Sequence, residues 1–359
     1  MKTRSSLLAP FILAALVLGN GCPGSAASPN DAAAQSASQP SERTLERFEA
    51  SRIRMGVPFR IALYACDEAA ANKSLDAAFA RIRDLDQICS DYDPESELMR
   101  LCSSATPGTP YPVSADLFYV VCSAQHYAQV SRGAFDVTVG PLVQLWRAAR
   151  RKRELPQPEQ LAEAIARSGY HCLTLDQSKR TITLHREKMR LDLGGIAKGF
   201  AGDAALAVLR QHGCGRALVD CGGDVVAGDP PPGRDGWVIG IAPLTDPQGK
   251  PSRYLSIRNQ SVATSGDAFH YSEIDGVRYS HIVNPKTGLG LTRRSSVSVI
   301  APSGIAADAL ASAVSVLGCE QGLAVIDQSP DHAALFVEMS DDGPLATASR
   351  RLKCYEVTP

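Results

Sequence analysis

Between Asn72 and Cys89, the residues Leu75, Ala78, Phe79, Ile82, Leu85 and Ile88 fall three and four positions apart, which gathers them on one stripe and predicts an amphipathic helix. A second helix fits Ala115 to Val130. Phe59 to Tyr64 alternates apolar and polar positions as a strand does, and the capping-type start Ser41-Glu42-Arg43-Thr44 before it predicts a short preceding helix. Strand pairs are expected over Leu173 to Leu184, Ala217 to Val226 and Trp237 to Ala242, where Gly and Pro punctuate β-prone runs. Val297 to Ile300 reads as a strand feeding a helix from Ile305 to Leu317, and Ala333 to Glu338 as a late strand. No internal repeat and no regular βαβ alternation is visible, so the fold class predicted is α+β.

The N-terminus departs from this pattern. Lys2 and Arg4 precede an unbroken apolar run from Leu7 to Leu18, too short at about 18 Å to cross a hydrocarbon core roughly 30 Å thick, so residues 1–21 read as a signal peptide. Leu18-Gly19-Asn20-Gly21-Cys22 approximates a lipoprotein cleavage site, with ordinary cleavage after Ala27 as the alternative. Either route puts the chain outside the cytoplasm. Residues 22–40 are mostly Ala, Ser, Pro and Asn, too poor in apolar bulk to order, and read as a flexible tether to a domain over 41–359.

Charge and cysteine content narrow the function classes. The formal net charge of −1 becomes −3 once the leader cations Lys2 and Arg4 are removed, which gives no general attraction for phosphate backbones and excludes nonspecific nucleic-acid binding. Nine cysteines follow Cys22 without a CxxC spacing, so neither a zinc site nor a thioredoxin-type motif is indicated. Export permits disulfides, but buried apolar cysteine is the default reading. Five basic residues lie between Trp146 and Glu154, either a solvated helix face or a docking face for anionic lipid or substrate.

Four segments carry more Gly, Asp, Ser and Thr than packing needs. Gly133 to Leu142 is a loop with one aromatic, Phe135, and one carboxylate, Asp136. Leu191 to Ala201 contains Gly194-Gly195, which let backbone approach a ligand, and Lys198, placed to face a phosphate or to pair with Asp192. Leu218 to Val225 holds Gly222-Gly223-Asp224 between two strands, as a hairpin turn or a site. The fourth runs from Thr264-Ser265-Gly266-Asp267 to the turn Asn284-Pro285-Lys286-Thr287-Gly288, with His281 as core residue or ligand. Asp308 and Ser312 then stand four apart on a predicted helix and can present a carboxylate and a hydroxyl to one point. Hard oxygen donors suit Mg²⁺ or Ca²⁺ rather than zinc. The alternative is a favourable charge at a helix N-terminus plus a serine bonded back to a carbonyl.

Taken in order, these segments, together with Ser90-Asp91-Tyr92-Asp93-Pro94-Glu95-Ser96-Glu97-Leu98 and the stretch from Asp308 to Gly318, resemble the ApbE family of FAD:protein FMN transferases, with the likeness beginning at Met55-Gly56. The resemblance implies an α+β fold of mixed, mainly antiparallel sheets and packed helices, with FAD in a cleft and a divalent cation at its pyrophosphate. By motif position Met55, Tyr92, Ala134, Phe135, Asp136, Asp192, Lys198 and Ile282 are expected to line the FAD site. The Gly195 carbonyl, the Asp308 carboxylate and the Ser312 hydroxyl are expected to hold Mg²⁺, with Ca²⁺ as the substitute. His281 and Asp308 are the candidates to position or deprotonate an acceptor hydroxyl. The implied reaction moves FMN from FAD to a threonine of a membrane redox subunit, as in sodium-pumping NADH:quinone reductase or Rnf-type complexes, and releases AMP. With the export signal this implies a periplasmic protein, anchored to the inner membrane as a lipoprotein through Cys22. An FAD pyrophosphatase giving FMN and AMP, and a non-catalytic flavin-binding protein, are the competing readings.

Three positions depart from the family pattern. Cys102 stands where an asparagine is common, Ser312 where a threonine binds metal, and Gly195 where alanine is frequent. Ser312 keeps the oxygen donor and a carbonyl ligand at Gly195 is indifferent to its side chain, so only Cys102 bears on activity.

Overall fold

The computed structural model describes residues 45–246, 249–266 and 271–358. The segments expected to be a signal peptide (1–21) and a tether (22–40, with Cys22), the capping-type start Ser41–Thr44 and Asp267 lie outside the described residues. Arg43–Pro359 forms one compact unit.

Alternation decides the first element. From Glu46 onward exposed and half-buried residues alternate, so the chain opens on a strand, β1 (Glu46–Arg54), and the short helix expected ahead of Phe59 is not found among the described residues. Met55 and Gly56, with φ of 48° and 75°, turn the chain into β2 (Val57–Ala65). The expected helix at Asn72 begins earlier, as α1 (Glu68–Cys89), because Asp67 caps it by accepting from Ala70 N at 2.8 Å. α2 (Glu97–Ser104), the short β3 (Tyr111–Pro112) and α3 (Ala115–Val130) follow, with α3 at the bounds its spacing predicts. Then come α4 (Gly140–Lys152), α5 (Pro158–Ala166) and the hairpin β4 (Leu173–Asp176) with β5 (Thr181–Leu184).

The Gly-rich stretch after Asp192 runs directly into a helix. It enters α6 (Ala197–Gln211), which leads to the predicted pair β6 (Ala217–Cys221) and β7 (Val225–Ala227) around Gly222-Gly223. β8 (Trp237–Ile241) pairs with β9 (Arg253–Ile257), and β10 (Ser261–Gly266) is followed by the hairpin β11 (Tyr271–Ile274) and β12 (Val277–Ser280). The chain ends with β13 (Ser295–Ala301), α7 (Gly304–Leu317), α8 (Cys319–Ile326), β14 (Ala333–Ser340) and β15 (Gly343–Ala348).

Eight strands form the main sheet in the order β1-β2-β6-β7-β10-β13-β14-β15, and each neighbouring pair is antiparallel. Period-two alternation sends side chains to two cores. Phe59, Ile61, Leu63 and Val219 pack with residues of α1, α3 and α6, while Val297, Val299 and Phe336 pack with those of α7 and α8. The intervening residues Ile300, Ala333 and Leu335 join Trp237, Ile241, Leu255 and Ile257 of the β8–β9 hairpin. A one-residue slip would exchange these cores, so the register is strongly specified. The nine described cysteines are all free, with Cys89, Cys172, Cys214 and Cys221 buried. No described helix is long and apolar enough to cross a membrane.

Candidate active site

A cavity of about 1100 Å³ lies beside the start of α6 and the Asp308 face of α7, just above the roughly 300–1,000 Å³ typical of small-molecule sites. Met55, Tyr92, Ala134, Phe135, Asp136, Asp192, Lys198 and Ile282 all line it, and so do Gly195, His281, Asp308 and Ser312. Residues that lie hundreds of positions apart in the chain thus meet in one place.

Asp308 and Ser312 project from α7, and Gly195 precedes α6. A Cβ built on Gly195 would sit 2.9 Å from Ser312 Oγ, so this glycine and the hydroxyl are neighbours. Asp308 is the fifth residue of its helix, and the first turn of α7 holds no acidic group, which removes the reading of Asp308 as a helix N-terminal charge. The companion reading fails as well. Ser315 donates back to the Ala311 carbonyl at 2.9 Å, whereas the Ser312 hydroxyl has no hydrogen-bond partner among the described residues. One carboxylate, one carbonyl and one unengaged hydroxyl are hard donors that fit Mg²⁺ or Ca²⁺. The described residues contain no cluster of three His, Cys, Asp or Glu suited to a metal.

Lys198 does not pair with Asp192. Its Nζ donates to Asp224 Oδ2 at 2.5 Å and lies 3.5 Å from Asp308 Oδ2, because the first turn of α6 aims it across the sheet edge toward the Gly-Gly-Asp turn and α7. Burial lowers the Lys198 pKa, and the carboxylates of Asp308 and Asp224 more than offset it, so the ammonium is held above its ordinary value. Burial pushes the Asp308 carboxyl above the usual carboxylate range, against the pull of Lys198. Asp224 is thereby a member of the site, and its other oxygen accepts from Thr264 N at 3.0 Å.

Asp192 takes a different cation. Arg147 donates to Asp192 Oδ2 at 3.2 Å and to Asp91 Oδ2 at 2.5 Å, and its guanidinium stacks over the Tyr92 ring at 4.3 Å. Burial and then Asp91 push the Asp192 carboxyl upward, opposed by the Gly194 amide, which donates to it at 2.8 Å, and by Arg147. The basic run is therefore only partly a solvated face. Val143, Trp146, Arg147 and Arg150 share one side of α4 and line the cavity, while Arg151, Lys152 and Arg153 are exposed.

Asp136 lines the cavity but spends its oxygens on the loop: Oδ1 accepts from Thr138 N and Oγ1 at 2.8 and 2.7 Å, and Oδ2 from Tyr170 N at 2.8 Å. It braces the turn from Asp136 to Thr138 against the backbone at Tyr170. His281 lies at an exposed part of the lining, directly after Ser280, whose carbonyl accepts from the buried Trp146 Nε1 at 3.0 Å. Cys102 sits behind the wall: Leu191 N donates to its Sγ at 3.3 Å, so this residue supports the segment leading to Asp192 and is not among the residues that line the cavity.

Arg147 as a site residue and the pairing of Asp224 with Lys198 are what the chain alone does not reveal. Helical phase within the basic run would have singled out Arg147, at one and four positions from Trp146 and Val143. No local signal marks the partnership of Lys198 with Asp224.

The ApbE family profile matches residues 55–336. An FAD:protein FMN transferase of Haemophilus influenzae is 33% identical over 291 residues, covering 79% of this chain and 84% of that protein. One of Treponema pallidum is 33% identical over 311 residues, covering 82% and 85%. The solved structure of the flavin transferase ApbE from Vibrio cholerae superposes with a TM-score of 0.78 at 30% identity, over 87% of this chain and all 100% of that one. The ApbE protein of Thermotoga maritima gives a TM-score of 0.77 at 28% identity, over 87% and 100%.

Proposed function

This chain belongs to the ApbE family, and on that premise we propose that it is an FAD:protein FMN transferase that moves FMN from FAD to a threonine hydroxyl of an acceptor protein and releases AMP in a Mg²⁺-dependent reaction. The observation that carries the reading is the unengaged Ser312 hydroxyl beside Gly195 and one helical turn from Asp308, inside the cavity lined by the flavin-site residues.

The chemistry follows from what these groups offer. The acceptor oxygen forms a bond to the phosphorus on the FMN side of the pyrophosphate, the bond from that phosphorus to the bridging oxygen breaks, and AMP departs with the electron pair. The Gly195 carbonyl, Asp308 and Ser312 would hold a divalent cation, which would supply charge neutralisation to the phosphates. Lys198, kept cationic by its two carboxylates, adds a fixed positive charge beside the same oxygens. His281 at the cavity wall takes the proton of the acceptor hydroxyl, since an imidazole titrates near neutral pH. Asp308 is the alternative base; its engagement by Lys198 and Gly199 N favours a ligand's role for it.

The acceptor is proposed to be the flavin-carrying subunit of a membrane redox complex of the sodium-pumping NADH:quinone reductase or Rnf type. The exported leader and Cys22 would hold the enzyme on the periplasmic side of the inner membrane.

Incubation with FAD, Mg²⁺ and such an acceptor domain tests the reading. Mass spectrometry should show one FMN added to an acceptor threonine, with AMP released in equal amount. AMP release that is as fast without acceptor identifies a pyrophosphatase instead. FAD binding with no AMP at all identifies a flavin-binding protein.

A further inference from the structure

The two helices that build the candidate metal site cap each other. The residue at the N-cap position of α6, Ile196, provides no side-chain cap, and the third amide of the helix, Gly199 N, donates to Asp308 Oδ2 of α7 at 3.2 Å. α7 returns the arrangement. Its first two amides, Gly304 N and Ile305 N, donate at 2.6 and 2.9 Å to the two oxygens of Asp203 on α6, and only the third, Ala306 N, uses the helix's own cap, Ser303. Between these exchanges the backbones touch: a Cβ on Gly199 would lie 2.1 Å from the Gly304 carbonyl oxygen, and one on Gly304 would lie 2.4 Å from that of Gly199.

The contact at the glycines fixes how close the helices come, but it does not fix how far α7 slides or rotates along it. A two-oxygen attachment to two successive amides does. The ligands proposed for the cation lie on both sides of this crossing, Gly195 just before α6 and Asp308 and Ser312 one and two turns into α7. Mg²⁺ demands near-ideal octahedral geometry, so a small shift of α7 against Gly195 is felt directly in affinity.

We infer that Asp203 is a positioning residue for the divalent cation, setting α7 so that Asp308 and Ser312 meet the Gly195 carbonyl while Asp203 itself touches neither the ion nor FAD. It does not line the cavity. The inference rests on the metal site proposed above. An ordinary cap needs no such residue, since Ser303 already occupies the N-cap position.

Asp203→Asn is the direct test. An amide keeps one acceptor oxygen and turns a donor toward the second helix amide, which breaks the two-point attachment and preserves volume. Mg²⁺ binding to the FAD-free chain is measured by calorimetry, alongside the thermal midpoint and the Mg²⁺ concentration for half-maximal AMP release. Asp203→Asn should weaken Mg²⁺ binding about tenfold, the low end of what a lost supporting group costs a metal site. Asp203→Glu, which retains both oxygens, should recover part of that affinity. Ser303→Ala removes a cap from the same helix end and should lower the midpoint while leaving the Mg²⁺ affinity where it was. If Asp203→Asn and the unaltered chain bind Mg²⁺ equally, Asp203 is a cap and the positioning role is wrong. An Asp203→Asn chain that does not fold likewise overturns it in favour of a purely structural role. An unaltered chain that binds no Mg²⁺ removes the metal site itself, and the inference with it.

Discussion

Ser312 and Asp308 should fail unequally when removed, because only one of them brings a full charge to the proposed ion. Asp308→Ala is expected to abolish transfer. Ser312→Ala should leave activity that excess Mg²⁺ partly restores, since water can take the vacated position on an ion that ordinarily keeps several, and Ser312→Thr should be close to neutral. AMP release across a Mg²⁺ titration reads all three, and a folded Asp308→Ala chain with normal turnover would remove the metal assignment. Arg147 poses a different problem, a cation shared by two carboxylates and an aromatic ring. Arg147→Ala leaves Asp192 nearly buried without its counter-charge, so it should cost about 3 kcal/mol of stability, the low end for breaking a buried pair, and weaken FAD binding as well. Chemical denaturation and flavin-fluorescence titration check the two effects, and unchanged values in both would show Arg147 to be a surface residue. Asp203 gives a pH signature. Burial pushes its carboxyl up to about 6 from an ordinary 3.8, opposed by the Ile305 and Gly304 amides and by Arg210. Between those two values the folded chain holds a proton that the unfolded chain releases, so this group's contribution to stability falls as pH rises through the window. Melts from pH 4 to 7 should therefore decline more steeply for the unaltered chain than for Asp203→Asn. Parallel profiles would contradict the raised pKa.

At the scale of elements, the crossing of α6 and α7 is built for glycine at one point and tolerant at another. Gly199→Ala would press a methyl group against backbone atoms at 2.1 and 2.4 Å, which no side-chain rotation relieves, and should cost about 3 kcal/mol or more. Gly195→Ala meets the Ser312 hydroxyl at 2.9 Å, which can turn away, and the edge of the Phe135 ring at 3.3 Å, with no backbone atom among its nearest neighbours, and should cost about 1 kcal/mol. Denaturant titration of the pair decides it; equal losses would mean that the helices are not in backbone contact. The same crossing explains what could be read in advance. α3 is legible because large apolar residues repeat at helical spacing, and β13 because Val297 and Val299 alternate with serine. α6 is not, since its buried face is made largely of Ala and Gly, whose small side chains give little apolar periodicity. The start of β1 was misread because a Ser-x-x-Thr stretch can open a helix, while the strand is decided by its nine-residue ladder with β2, a partner no local window contains. Within the site, the lining residues could be placed from ordered motifs, but the ion pairs could not. Lys198 chooses Asp224 and Asp308 over Asp192 only because β6, β7 and α7 bring those carboxylates to it.

For the whole molecule, the cavity is a product of the complete sheet and its helices, since its walls run from Met55 beside β1 to Val316 on α7. Tyr92, Phe135 and Ile282 give it apolar and aromatic surface suited to a flat ring system, while Lys198, Gly195, Asp308 and Ser312 form a charged and hard-oxygen region suited to phosphate and its cation. A ligand satisfying both regions must carry a ring at one part and a pyrophosphate at another. FAD has both and FMN ends at its single phosphate, so FAD is expected to bind more tightly, and the difference should depend on the cation that bridges the pyrophosphate. Flavin-fluorescence titrations with each nucleotide, with Mg²⁺ and then with EDTA, measure this directly. The preference for FAD should be clear in Mg²⁺ and shrink when the ion is chelated. Equal affinities in Mg²⁺ would mean the cavity recognises only the flavin half, and a preference indifferent to EDTA would place the discrimination in adenosine contacts rather than at Gly195, Asp308 and Ser312.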